Sequence, residues 1–326
     1  MGGMLVLEFA YFGKEYVRTI VPIATSAKYS AWGISWGEAQ RQSIYSDPKY
    51  EDGYYTFDDP PSIGLGAARM AALLTYRSRD SFEARFGRRP PNAQRNGGNS
   101  PTSTNEHFDI HNEGHRNVGS PRPSRKGSNV DLSTSTESLP MINITDPQFS
   151  GATEIPTPVQ QSKKRIATYY SAQSYLRYQG QKFIKRFDAN CYISITRKLD
   201  THDVSRGRTD EIEDTTSAVK AALSLIEQPT LVLGIESDGL FTYAEQQELA
   251  AAIPSAQLKT IDSPEGHDAF LLEFKQVNTL ILDFLKQAIP DIMSREPVNW
   301  PPQETEAKAP KGSTVGEAEV EDITAW

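Results

Sequence analysis

Two residues whose types could act together follow the two clearest predicted strands. Asp238 comes after the apolar run PTLVLGI (229–235), and His267 comes after the next run, Gln257–Ile261. Because ligands of open parallel sheets bind outside the carboxyl ends of the strands, both side chains are expected to face one crevice. An acid followed by a histidine in successive strand-end loops is the second half of a Ser…Asp…His order. The alternative is that Asp238 only caps a following helix and that His267 is an ordinary polar loop residue.

The start of the sequence fits the third member of such a triad. A nucleophile elbow reads Gly-x-Ser-x-Gly, with glycines where side chains would collide on a sharp strand-to-helix turn. The sequence begins Met1-Gly2-Gly3 and continues with apolar residues. If a serine preceded Met1, then Met1 would be the variable residue and Gly2 the glycine that follows it. The pattern agrees with Asp238 and His267, but its first member is not in the sequence.

The elements that must position these residues alternate between helix and strand. Thr19–Ala24 (TIVPIA) and the two runs above are predicted as buried strands, although Pro22 weakens the first. Helices are predicted at Leu5–Tyr11, Ala31–Tyr45, Gly66–Tyr76, Tyr170–Arg186, Tyr243–Ala252 and Ala269–Leu285. The last of these carries one apolar stripe, made of Phe270, Phe274, Val277, Ile281 and Phe284. The alternation predicts an α/β fold with a parallel sheet and helical crossovers.

Composition excludes several classes of protein. The chain of 326 residues has a net charge of −8, which argues against a general nucleic-acid binder. No apolar run is long enough to span a bilayer, so no membrane partner is expected. Cys191 is the single cysteine, which favours a reducing compartment and a cytoplasmic location. Five histidines and one cysteine leave little material for a metal site, and none is expected.

Five long blocks carry a resemblance to a known family. They are IVPIATSAKYSAWGISWGEAQRQSIYSDP (20–48), ARMAALLTYRSRDSFEARFGRR (68–89), SYLRYQGQKFIKRFDANCYISITRKLDTHD (174–203), GIESDGLFTYAEQ (234–246) and SPEGHDAFLLEF (263–274). The sequence closely resembles the C-terminal two-thirds of homoserine O-acetyltransferases in their fungal form. A long polar insert between the second and third blocks, and an acidic tail ending in tryptophan, also resemble that form.

The resemblance implies the C-terminal part of an α/β-hydrolase fold, with the sixth to eighth strands of its parallel sheet and an inserted helical lid. The implied boundaries are 1–28 and 227–293 for the core, 29–87 and 166–226 for the lid, 88–165 for the insert and 294–326 for the tail. The insert is rich in Ser, Thr, Asn, Gly and Pro and poor in apolar residues, so we expect it to be disordered. The acidic tail is expected to be disordered as well.

The resemblance also implies a reaction. Acetyl-CoA, as a co-substrate, would donate an acetyl group to L-homoserine through a serine acyl-enzyme, a step of methionine biosynthesis. The implied enzyme has no bound cofactor, and a full-length chain would form a homodimer through its lid helices. Within the same enzyme class, transfer to serine or from succinyl-CoA stays open, while a plain esterase would not need an amino-acid clamp.

Roles for individual residues follow from the same resemblance. The family elbow reads G-G-S-M-G-G-M, so the nucleophilic serine would directly precede Met1, whose backbone N–H would help to bind the oxyanion. Asp238 matches the triad acid, and His267 matches the triad base. The closed lid would exclude water, which would otherwise hydrolyse the acetyl group.

Three further residues match the substrate pocket of the family. Arg69 matches the arginine that holds the substrate carboxylate, Tyr76 a nearby pocket tyrosine, and Asp268 the acid that receives the substrate ammonium. Arg69 and Tyr76 are seven residues apart, two helical turns, so they share a helix face. An arginine fork suits a carboxylate, because two parallel N–H donors match two oxygens. Judged on the residues alone, a lid ion pair for Arg69 and a packed aromatic for Tyr76 are the favoured alternatives.

The sequence departs from the family at its start. The elbow serine and the strands that would precede it are not in it, and the segment Thr19–Ala24 would lose a partner strand. An unpaired apolar edge favours aggregation, so we expect the chain alone to be inactive and poorly soluble. One interpretation is a truncated homoserine O-acetyltransferase; the other is a non-catalytic fragment that acts as a partner of a full-length copy.

Overall fold

The computed structural model describes residues 1–90 and 170–296, all of which belong to one compact unit. The expected insert (88–165) and tail (294–326) lie almost wholly outside this part of the chain, so both stay predictions. None of the helices in the described ranges has the length and apolar character that crossing a bilayer requires.

Helices dominate the described residues and surround two parallel strands. The helices are α1 (Gly2–Ala10), α2 (Ala31–Tyr45), α3 (Ser62–Tyr76), α4 (Arg79–Arg85), α5 (Ser171–Phe183), α6 (Ala189–Asp200), α7 (Thr215–Ser224), α8 (Tyr243–Ala252), α9 (Ala269–Leu272), α10 (Phe274–Ala288) and α11 (Pro290–Met293). The strands are β1 (Thr230–Gly234) and β2 (Ala256–Thr260), and short 3₁₀ segments occupy Pro48–Gly53 and Gly266–Asp268. The predicted bounds of α2 and α8 are confirmed.

Three chain segments lie side by side in one parallel arrangement, with β1 in the middle. β1 pairs with β2 on one side, where Thr230 lies opposite Ala256. On its other side, the backbone N–H of Leu231 donates to the carbonyl of Ile20 at 3.1 Å. The fold class predicted from the sequence, α/β with a parallel sheet, is therefore confirmed.

The segment Thr19–Ala24 does not form the continuous strand that was predicted. It makes only two isolated parallel bridges, from Ile20 and from Ile23. Pro22, between them, has no N–H to donate, and Ala24 has a φ of 45°, outside the range of extended backbone. The ladder is interrupted at Pro22, and the extended segment ends at Ala24, whose N–H still donates to the carbonyl of Leu233 at 2.9 Å.

The buried strand β1 separates two apolar cores. Val232 points into one core with Leu7 of α1 and Leu223 of α7, whereas Leu231 and Leu233 point into the other, against α10. Side chains alternate between the faces of a strand, so a strand buried on both faces needs helices on both sides. We call α1, α7, α8, α9, α10 and the strands the α/β part.

Helices α2 to α6 form a second group, which we call the lid. Its core is a cluster built from Ile44, Leu65, Ala68, Phe183, Ala189, Tyr192 and Ile193. Helices α2 and α3 approach closely at Gly64, where a Cβ atom would lie 2.6 Å from the carbonyl oxygen of Ser43. By packing, α7 groups with the α/β part, although the expected boundary at residue 226 put it in the lid.

The predicted helix Ala269–Leu285 is in fact two helices. Glu273, with φ −89° and ψ 41°, separates α9 from α10. The break turns Phe274 away from the core and leaves it 65% exposed, so its place on the predicted apolar stripe was wrong. Val277 and Phe284 of the same stripe are buried as predicted.

Candidate active site

Asp238 is locked into the turn that follows β1. Its Oδ1 accepts hydrogen bonds from the backbone N–H groups of Leu240 (2.8 Å) and Phe241 (3.0 Å). Its Oδ2 lies 2.7 Å from Nδ1 of His267, and the side chain is fully buried. A short polar side chain that accepts bonds from its own turn has no rotational freedom left. The carboxylate therefore presents one oxygen to the imidazole in a fixed direction.

Helix α8 does not depend on Asp238 for its N-terminal cap. Thr242 occupies that position, and its backbone N–H donates to the Glu245 carboxylate at 2.6 Å, the reciprocal half of a capping box. The alternative in which Asp238 serves only as a helix cap does not describe this turn.

His267 is placed by the 3₁₀ segment after β2. Its ring lies 5.2 Å from the ring of Phe241 and 5.4 Å from that of Phe270, measured between centroids. The side chain is 19% exposed. Since the Nδ1 bond to Asp238 assigns the ring proton to Nδ1, Nε2 is left as the proton acceptor. The imidazole of His267 is thus held in one orientation by the Asp238 carboxylate.

The loop that carries His267 is tied to the lid and to the turn after β1. Gly266 has a φ of 75°, and a Cβ atom there would lie 2.4 Å from the backbone nitrogen of Ser78. Ser78 Oγ donates to the carbonyl of Pro264. Ser237 Oγ donates to the carbonyl of Ser263 and accepts from the N–H of Gly266. Only glycine fits this close approach.

Arg69 and Tyr76 lie together on one face of α3, as the spacing predicted. Nη1 of Arg69 donates to the Tyr76 hydroxyl at 3.1 Å, and the guanidinium carbon lies 5.1 Å from the centre of the Tyr76 ring. The same carbon lies 4.6 Å from the ring of Phe183. Arg69 is buried, and its planar cation is held between two aromatic rings.

Asp268 is a buried carboxylate in an ion pair. It is 4% exposed, and its Oδ2 lies 3.1 Å from Nε of Arg77. Burial raises the pKa of the Asp268 carboxyl above its ordinary value, and the positive charge of Arg77 opposes the rise.

A cavity of about 410 Å³ brings the predicted residues together. Among its lining residues are Met1, Arg69, Tyr76, His267 and Asp268. Asp238 is not on the wall but lies directly behind His267. The cavity has the size of an ordinary small-molecule site.

Met1 is brought to this cavity by the first turn of α1. Met4, one turn further on, is buried against Leu240 and Phe241, which follow Asp238 in its turn. The N-terminal end of α1 is therefore fixed beside Asp238 and His267. Unpaired N–H groups and a partial positive charge mark such a helix end, and both favour an anion.

Sequence reasoning missed several lid residues that line the same cavity, among them Tyr29, Trp36, Gln40, Thr196 and Tyr192. The Tyr192 hydroxyl donates to Oε1 of Gln40 at 2.7 Å, and both residues are buried. Burial raises the pKa of Tyr192 well above its ordinary value, so it acts here as a neutral donor. No local pattern marks these residues, since they meet only when α2 packs on α6.

Several known proteins with similar sequences belong to one family. The profile of the α/β hydrolase fold family matches residues 1–126. A homoserine O-acetyltransferase of Emericella nidulans is 61% identical over 335 residues, which cover 100% of this chain and 67% of the relative. One of Ascobolus immersus is 56% identical, with 65% of the relative covered, and one of Saccharomyces cerevisiae is 51% identical, with 67% covered. The chain spans about two thirds of the length of these curated relatives.

Solved structures agree on the fold. The crystal structure of a homoserine O-acetyltransferase from Bacillus anthracis matches with a TM-score of 0.53 and 13% identity, covering 92% of this chain and 59% of that one. The esterase E22 matches with a TM-score of 0.53 and 15% identity, covering 87% and 58%. At such low identity the likeness concerns the chain path and not the chemistry.

Proposed function

The chain belongs to the homoserine O-acetyltransferase family, and we propose that its cavity is where an acetyl group passes from acetyl-CoA to the hydroxyl of L-homoserine. One observation carries the proposal. A histidine oriented by a buried carboxylate lines the same cavity as a guanidinium and a second carboxylate. This set combines a base for a hydroxyl with opposite charges suited to the two ends of an amino acid.

The acid–base half of the proposed reaction uses His267. Nε2 takes the proton of the serine that the family resemblance puts directly before Met1, and the serine oxygen attacks the thioester of acetyl-CoA. The proton passes to the departing thiolate, which leaves as CoA. Nε2 next takes the hydroxyl proton of homoserine, whose oxygen attacks the acyl-enzyme, and the proton returns to the serine oxygen. Asp238 stabilises the imidazolium in both steps.

The oxyanion of each tetrahedral intermediate needs N–H donors. In a chain in which Met1 follows the serine, the backbone N–H of Met1 is an amide at the start of α1. The packing of Met4 on the Asp238 turn holds that end of the helix in place. A fixed donor stabilises the developing charge more than a mobile one, because no reorganisation is needed during the reaction.

The acceptor clamp consists of Arg69 of the lid and Asp268, which follows β2. Arg69 binds the substrate carboxylate, with its guanidinium already oriented by Tyr76 and Phe183. Asp268, the neighbour of the base, receives the ammonium. An acceptor held at both ends brings its hydroxyl to the imidazole, and proximity of this kind lowers the barrier to attack. The scheme uses acetyl-CoA as a co-substrate.

The test uses a joined enzyme. Residues 1–326 are fused to the part of the Emericella nidulans relative that precedes the matched region, so that a serine directly precedes Met1. We expect CoA release from acetyl-CoA that depends on L-homoserine, with O-acetylhomoserine found by mass spectrometry. Without acceptor, the intact protein should gain the mass of one acetyl group, and a serine-to-alanine variant should not.

Three results would contradict the proposal. Release of CoA and acetate at the same rate with and without L-homoserine would indicate a hydrolase. Faster transfer to L-serine than to L-homoserine would indicate the other acceptor. A faster reaction with succinyl-CoA would indicate the other donor. The unjoined 326-residue chain is assayed beside the joined enzyme under identical conditions.

A further inference from the structure

Arg77 is a buried arginine that lies between two carboxylates. It directly follows α3 and is 8% exposed. Nη1 of Arg77 donates to Oε2 of Glu265, and Nε forms the ion pair with Oδ2 of Asp268. These two acids lie on either side of His267 in the sequence. One guanidinium therefore binds the His267 loop at both ends.

We propose that Arg77 is a positioning residue, which keeps Asp268 ionised and turned toward the cavity as the receptor for the substrate ammonium. This inference rests on the proposed function. Arg77 itself touches no reacting atom in the scheme. Its ion pair uses one oxygen of the carboxylate, and a carboxylate has a second oxygen that can accept from an ammonium group.

The charges around Asp268 support this role. Burial disfavours its ionised form, and positive charge is what can restore that form. The cations that face it are Arg77 and Arg69, with Arg85 of α4 further out. The imidazole of His267, the acid Glu265 and the phenol of Tyr175 of α5 also face it. Of the cations, Arg77 exerts the strongest opposing effect on the Asp268 pKa. Without it, a larger fraction of Asp268 is protonated at neutral pH and cannot bind an ammonium as a carboxylate does.

Glu265 competes for the same guanidinium. Burial alone would raise the pKa of Glu265, but the hydrogen bond from Ser81 and the charge of Arg77 outweigh it, and the net direction is down. Glu265 therefore stays ionised and shares Arg77 with Asp268. Removing the Glu265 charge should lower the pKa of Asp268, because Arg77 then interacts with Asp268 alone. Removing Arg77 should raise that pKa. The two substitutions have opposite expected signs, which a simple loss of packing would not produce.

A direct experiment measures the titration of Asp268. The joined enzyme is labelled with aspartate carrying ¹³C in the carboxyl group, and the Asp268→Asn spectrum identifies its signal. We expect Arg77→Gln to raise the titration midpoint by about one pH unit or more. Arg77→Lys should give a smaller rise, because the charge remains without the fork. Glu265→Gln should lower the midpoint, and Arg79→Gln, at an exposed arginine two residues away, should leave it unchanged.

A binding measurement on the same variants links this charge to the substrate. L-homoserine and 4-hydroxybutanoate, which lacks the ammonium, are compared by saturation-transfer NMR. At neutral pH we expect Arg77→Gln to weaken the binding of L-homoserine roughly tenfold and to leave the binding of 4-hydroxybutanoate nearly unchanged. Raising the pH should restore part of the L-homoserine binding.

An unchanged titration midpoint of Asp268 in Arg77→Gln would overturn the inference. An equal loss of affinity for both ligands would overturn it as well. If Arg77→Gln does not fold, Arg77→Lys and Glu265→Gln decide the matter by their opposite signs. If the unsubstituted joined enzyme binds neither ligand, the proposed function fails, while the titration still reports on Arg77.

Discussion

The α/β part and the lid hold their functional side chains by different means. In the α/β part, two backbone N–H groups of its own turn fix Asp238. Asp238 in turn orients the ring of His267 through the contact between Oδ2 and Nδ1. In the lid, Arg69 is fixed by other side chains, the rings of Tyr76 and Phe183, which belong to different helices. One arrangement depends on local backbone, and the other depends on how helices pack.

This difference divides the proposed reaction into parts that can be altered separately. Formation of the acyl-enzyme needs the acid–base pair but not the amino-acid clamp. Transfer to the acceptor needs both. Substitutions of Asp238 or His267 should therefore impair both half-reactions, while substitutions of the clamp residues should impair only the second. The predictions below use the joined enzyme and begin with the largest effect.

Asp238→Asn should lower kcat by about 10³- to 10⁴-fold in both half-reactions. The N–H groups of Leu240 and Phe241 hold the single oxygen of the asparagine amide, so its NH2 group faces Nδ1 and donates to it. The imidazole then takes the wrong tautomer and loses its compensating charge. Stopped-flow measurement of acyl-enzyme formation and steady-state CoA release check the two steps. Asp262→Asn, at an exposed aspartate directly after Ile261, is the matched control and should keep full activity. A loss confined to the second half-reaction would contradict the division drawn above.

Arg69→Gln should raise the KM for L-homoserine by about 10²-fold, because the variant cannot form the buried ion pair between the Arg69 guanidinium and the substrate carboxylate. Acyl-enzyme formation from acetyl-CoA should stay within about twofold of the unsubstituted rate, since the first half-reaction holds no substrate carboxylate at Arg69. Arg79→Gln serves as the control. Equal impairment of both half-reactions would mean that Arg69 supports the whole site rather than the acceptor alone.

Gly266→Ala tests the junction of the two regions. The added Cβ would meet the backbone of Ser78, and alanine is strained at a φ of 75°, so we expect a loss of about 1–3 kcal/mol in the free energy of unfolding. Gly207→Ala shares the positive φ, at 73°, but has open space, and Gly239→Ala has neither constraint. Urea unfolding of the three variants separates clash from backbone strain. A loss at Gly207 equal to that at Gly266 would show that the contact with Ser78 contributes nothing.

The same contrast explains what the sequence could predict. Asp238 and His267 were found because the carboxyl ends of neighbouring parallel strands meet at one edge, a rule that needs only the position of each strand. The partners of Arg77 could not be found in this way. Arg77 and Glu265 are 188 residues apart, and Tyr192 and Gln40 are 152 apart. Such pairs form only when distant parts of the chain pack together, so no local spacing in the sequence indicates them.

Backbone detail also escaped the sequence patterns. The apolar period of residues 269–285 continues through Glu273, so nothing in the pattern marks the break between α9 and α10. Pro22 did weaken the predicted strand at 19–24, but the residue type of Ala24 does not indicate its positive φ. Roles taken from the family resemblance for Arg69, Tyr76, Asp268 and Met1 stay predictions until the variants are measured.

Glu265→Gln has the smallest expected effect and tests whether charge joins the lid to the His267 loop. The pKa of Glu265 is lowered in the folded chain, so its ionised form stabilises the fold above the ordinary glutamate pKa of about 4.3 and this contribution is lost as the pH falls through the lowered value. The substitution should reduce Tm at neutral pH by about 2–4 °C, as a loss of about 1 kcal/mol would, and should flatten the fall of Tm on acidification. Glu83→Gln, at an exposed glutamate of α4, should do neither. An acid dependence in Glu265→Gln as steep as that of the unsubstituted chain would mean that Ser78 and Gly266, rather than the ion pair, hold the two regions together.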